Sequence, residues 1–185
     1  MQQQQKGLGE RDGWNGMIAL AVGHATAMTV FTRTNFGVEA FGKNAVAAFL
    51  VYWIWALATQ SQALLMMGGL WFCMLIVQRI KTFVSWRRGK LKLIPSTYDG
   101  YPWLTARLFQ NERNARGFEG CLVFVVGLVV FKFADWHVGY FLEVCGVSIV
   151  FMEMMYWHIE RRRRLAIHDA KVEAKWLVGH SQTEL

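Results

Sequence analysis

Three glutamates, Glu119, Glu143 and Glu153, stand in stretches otherwise nearly free of charge, and ionisable groups in such surroundings are the first place to look for chemistry. Two carboxylates at one depth could pass protons or hold a cation. If residues 117–134 and 138–159 form an antiparallel hairpin turning near Asp135–Trp136, Glu119 and Glu153 fall at a similar level near one end. Arg116 and His158 would then lie close by, and Glu143 nearer the other end, with Lys132 as a distant partner. The alternative to a polar path is that such charges pair and join helices. Pairing of Glu153 with an arginine is the favoured reading. Glu153 and His158 are five residues apart, so they leave a helix in different directions and make a poor metal pair.

The histidines add no constellation. His24, His137, His158, His168 and His180 give no His-x-x-His or Glu-x-x-His pair, so neither zinc nor di-iron ligation is expected. His24, alone in an apolar segment, reads as hydrogen-bonded structure before it reads as a haem ligand. Cys73, Cys121 and Cys145 lie in apolar runs without metal-type spacing. Walker-type and dinucleotide-binding glycine loops are absent from the sequence, as is a Gly-x-Ser-x-Gly elbow. No catalytic residue, metal or cofactor is expected.

The elements that must position these residues are apolar helices. The 185-residue chain is 54% hydrophobic and 18% charged, against about 25% charged in ordinary soluble chains. The deficit is local, because no Asp, Glu, Lys or Arg occurs between Lys43 and Arg79. The apolar segments lack the polar face that a water-soluble helix shows at a period of 3.6. Nine tryptophans and thirteen phenylalanines suit the membrane–water interface. The fold expected is all-α: a polytopic integral membrane protein with four transmembrane helices as two antiparallel hairpins, plus an N-terminal interfacial helix.

In chain order, residues 1–37 form a polar segment and the interfacial helix, with a fifth span over 14–31 as the alternative. Ala19, Gly23 and Ala27 recur every fourth residue there and would let another helix approach closely. The first hairpin covers 38–84. Its uncharged run from Asn44 to Gln78 would measure about 52 Å as one helix, too long for a hydrocarbon core of about 30 Å. A bend is expected at Thr59-Gln60-Ser61-Gln62, giving spans near Val38–Ala58 and Ala63–Val84. The second hairpin covers 117–159, with Gly120 and Gly127 facing Gly139 and Gly146 as its packing rows. A basic tail, 160–185, follows.

Between the hairpins, residues 85–116 form a basic, aromatic connection holding both prolines, Pro95 and Pro102. Tyr98-Asp99-Gly100-Tyr101 has turn chemistry, and Pro102 suits the first turn of a surface helix. Tyr98, Asp99, Tyr101, Pro102, Trp103 and Arg107 are the candidate contacts for a partner protein; anchoring in the headgroup layer is the equal alternative. Arg87, Arg88, Lys90 and Lys92, with Arg161, Arg162, Arg163 and Arg164 of the tail, would meet anionic lipid headgroups. These charges place connection and tail on the cytoplasmic side of the cell or inner membrane, with both termini cytoplasmic. The expected partners are the bilayer and other membrane subunits or further copies of the chain, and nucleic acid is not among them. The function expected is that of a non-enzymatic accessory subunit of a larger membrane complex. The alternative is a small oligomeric transporter or channel working through the intramembrane glutamates.

Overall fold

Caps and small residues decide where this chain turns and which helix faces meet. The computed structural model describes residues 2–36, 42–89 and 98–183. Val38, Glu39, Pro95 and two of the expected headgroup bases, Lys90 and Lys92, lie outside them. The described chain is all-helical apart from one two-residue bridge. Helix α1 covers Gln2–Thr32, α2 Gly42–Thr59, α3 Gln62–Arg87, α4 Glu112–Phe133 and α5 Trp136–Thr183. Strand β1, Arg33–Thr34, pairs antiparallel with β2, Tyr101–Pro102. Residues Met1–Met152 form one unit and Glu153–Leu185 a second.

In the first unit the polar quartet breaks the long apolar run. α2 ends at Thr59, Gln60 takes a left-handed φ of 51°, and the Ser61 hydroxyl caps α3 by accepting from Leu64 N. The second turn, between α4 and α5, is equally short. Asp135 Oδ1 accepts from His137 N at 2.8 Å and Val138 N at 3.0 Å, satisfying two of the orphan donors at the start of α5.

Helix α1 packs along α2 through its small residues. Gly23 lies under Val51 and Ala47, Ala27 is fully buried, and Ala19 is exposed. The helix expected here packs its later turns against α2, because Gly23 and Ala27 give it a face that α2 can approach closely. Gly120, Gly127, Gly139 and Gly146 all stand where α4 meets α5: a Cβ at Gly146 would fall 2.6 Å from Phe124 N, and one at Gly120 2.7 Å from Val150 Cγ2. Tyr52, Trp71 and Phe141 fill the centre, with ring centroids 4.9 Å (Tyr52–Phe141) and 5.6 Å (Tyr52–Trp71) apart.

The outer faces of α2 and α3 are strongly apolar. Leu50, Ile54, Leu57, Met66, Leu70 and Ile80 of α2 and α3 are all more than half exposed. By length and composition, α3 and the Trp136–Ala174 stretch of α5 could each cross a membrane.

The second unit is a helical segment of largely exposed residues. Its Glu160 and Arg164 pair one turn apart, and the Arg161 guanidinium lies 5.5 Å from the centre of the Trp157 ring.

Candidate functional site

Three helices bring polar groups together in the first unit. α1 ends at Thr32 and Arg33 follows it, a placement in which a cation faces the negative end of the helix dipole. Glu119 stands near the start of α4, and Gln78 is, with Thr82, a buried polar residue in the C-terminal half of α3. Arg33 Nε donates to Glu119 Oε2 at 2.8 Å, and the Thr32 hydroxyl donates to Glu119 Oε1. Gln78 Nε2 donates to the carbonyls of Arg33 (3.2 Å) and Val30 (3.4 Å), which the end of α1 leaves without helical partners.

Arg33 is 3% exposed and Glu119 1%. A pair so far from water must offset a desolvation penalty of several kcal/mol per ion, which needs good geometry and further hydrogen bonds. Here both carboxylate oxygens are engaged. The arrangement therefore clamps the end of α1 to α3 and α4, with both Glu119 oxygens taking part.

A second cluster lies just outside the clamp. The Tyr98 hydroxyl donates to Glu112 Oε1, which also accepts from Arg116 Nε at 3.1 Å and Nη2 at 2.8 Å. Arg116 Nη2 donates to Gly100 O at 3.0 Å, and its guanidinium lies 5.0 Å from the Tyr98 ring centre. Burial first, and the bond to Glu112 second, push the Tyr98 phenol above its ordinary value, with Arg116 opposing. Gly100 has φ 87°, and a Cβ there would lie 2.8 Å from Phe36, so only glycine closes this turn onto the end of α1.

The expected partner-contact residues thus divide. Tyr98 and Asp99 are half-buried and Pro102 is buried, held by the bridge to Arg33 and by Glu112 and Arg116. Tyr101, Trp103 and Arg107 remain exposed, although the Trp103 indole donates to Phe31 O at 3.3 Å. The surface helix expected from Pro102 is a single 3-10 turn, Thr105–Arg107, because pairing with β1 holds residues 101–102 extended. α4 starts later, capped by Asn111.

Glu119 takes a partner other than the neighbours expected from sequence. Its ion partner is Arg33, while Arg116 turns to Glu112. Glu143 is half-buried where Gly127 meets α5, and the Lys132 ammonium lies 5.5 Å from the Phe133 ring centre. Glu153 is half-buried and His158 exposed in the second unit. Arg87, Arg88 and Arg161–Arg164 are exposed. Among the described residues, no three His, Cys, Asp or Glu gather into a group that could hold a metal.

His24 is fully occupied in a different way. Its Nδ1 bonds Leu20 O at 2.8 Å, and its Nε2 accepts from Trp55 Nε1 at 2.9 Å, which fits the neutral ring with the proton on Nδ1. No nitrogen is left for a metal.

Arg33, Thr32, Gln78, Trp55 and Glu112 were not singled out by sequence. Arg33 follows an apolar run and reads as a boundary charge. Gln78, at the end of an uncharged run, reads the same way. Nothing in the spacing joins position 33 to position 119.

Comparison with family models, curated proteins and solved structures gives no match.

Proposed function

We propose that this chain is a polytopic membrane protein acting as a non-enzymatic subunit of a larger membrane assembly. The observation that carries it is the inverted distribution of polarity. The bundle hides Arg33, Glu119, Gln78 and Thr82 while leaving Leu57, Met66, Leu70 and Ile80 outside. Water-soluble proteins rarely expose apolar surface on this scale, and lipid tails or neighbouring subunits would cover it.

Helix α2, 18 residues long, measures about 27 Å, close to the hydrocarbon thickness. α4 is 22 residues long, and the charge of its Glu119 is met by Arg33, which removes the main objection to its crossing. α2 with α3, and α4 with the first part of α5, then form the two hairpins. The packing of α1 inside the bundle supports the fifth span over the interfacial helix. In that reading the connection and tail are cytoplasmic, as their bases require, and the N-terminus lies on the opposite side.

The accessory role is supported by how the polar groups are used. Glu119, His24 and Glu112 each hold one part of the chain to another, and Asp135 caps α5. The test is gentle native extraction followed by mass measurement. A species much heavier than the 21.3 kDa chain, beyond its detergent, is expected. A stable monomer in several detergents overturns the subunit reading.

A further inference from the structure

We infer that the exposed edge of the connection, Tyr101, Trp103, Leu104, Arg107 and Leu108, is a wedge resting in the headgroup layer of an anionic membrane leaflet. The inference rests on the membrane reading above. It assigns these residues to lipid rather than to a protein partner.

Placement comes first. The bridge between β1 and β2 fixes residues 101–102 beside Arg33 and Thr34, where α1 ends, and the Trp103 indole bonds Phe31 O in its last turn. On the other side the Phe109 ring lies 5.0 Å from that of Phe118, which is itself 40% exposed on α4. The segment is therefore held at both ends, to the last turn of α1 and to the first turns of α4.

The exposed chemistry fits that placement. Trp103 is 43% exposed, Leu104 40% and Leu108 68%, although none of them belongs to one of the five long helices. A tryptophan whose N–H is satisfied by a carbonyl while its ring stays outside suits the boundary between headgroups and acyl chains. Arg107 is exposed within the same turn as Leu104 and Leu108, and Arg87 and Arg88 at the end of α3 carry the same sign. Apolar side chains with interleaved cations are complementary to an anionic leaflet, where each base near the surface is worth roughly a fivefold gain in binding.

The test uses the full chain in vesicles of phosphatidylcholine, with or without phosphatidylglycerol. Leu108→Cys, with Cys73→Ser and Cys121→Ser, carries a polarity-sensitive dye, and nitroxide-bearing lipids serve as quenchers. The expected result is quenching by headgroup-proximal nitroxides, stronger with phosphatidylglycerol and reduced more than about fivefold in docked-to-undocked ratio by Arg107→Glu, which removes one base and adds an acid. An unchanged melting temperature for that variant shows the fold intact. A dye that stays in water in both vesicles overturns the inference, and so does one shielded without quenching, which means that protein covers the wedge. Quenching indifferent to phosphatidylglycerol and to Arg107→Glu overturns the anionic assignment. A second dye at Val126→Cys, on the exposed face of α4, separates the two readings. If mid-chain nitroxides fail to quench it, the membrane reading itself falls.

Discussion

Removing one partner of the Arg33–Glu119 pair should damage this protein more than removing both. In Glu119→Ala the guanidinium of Arg33, 3% exposed, keeps its charge and loses the carboxylate that its Nε donates to, and the Thr32 hydroxyl loses one of its two acceptors. Breaking a buried pair from one side costs about 3–5 kcal/mol, while the Thr32 hydroxyl can fall back on Met28 O. Arg33→Met leaves the opposite charge stranded at similar cost. In the double variant Arg33→Met/Glu119→Leu neither charge remains, and isosteric apolar pairs are often neutral or better, so most of the loss should return. The coupling energy of this cycle should be about 3 kcal/mol or more, since the groups are in contact. The assay is thermal or denaturant unfolding of the purified protein in one fixed detergent, followed by tryptophan fluorescence. Single variants within about 0.5 kcal/mol of the parent, or additive effects in the double, would refute the clamp.

Gly146→Leu, whose Cβ alone would reach 2.6 Å from Phe124 N, should force α4 and α5 apart and cost about 3 kcal/mol, seen as a lowered melting temperature; an unchanged melt refutes the close packing. Tyr98→Phe should cost about 1 kcal/mol at neutral pH by stranding part of Glu112's hydrogen bonding. Because the phenol is raised above 10.0, its neutral form is favoured in the folded chain. Its contribution is complete below that pH and fades as pH climbs through the folded value, so alkaline melts should show this loss in the parent and not in Tyr98→Phe.

Much of the architecture is written in short-range pattern. The run from Asn44 to Gln78 is too long for one crossing, and Thr59–Gln62 is its only polar interruption, so the end of α2 and the start of α3 were legible. The glycines of α4 and α5 likewise announce a close helix pair by their spacing, because a missing Cβ is a local property. The bend at Tyr98–Gly100 was readable too, from residues that tolerate turns. What sequence could not supply is which distant groups share a buried volume. Glu119 stood out as a costly intramembrane charge, but arginines of either the connection or the tail could have met it. Arg33 does so because α1 packs its later turns against α2, a choice made by the fit of Gly23 and Ala27 there. The same packing draws β2 onto β1 and turns Tyr98 and Pro102 inward, leaving only the outer edge of the connection free. Composition and periodicity determine that these helices are apolar and where they end, since each depends on neighbours a few residues away. Pairing across 86 residues depends on the three-dimensional packing, and only the tertiary structure decides it.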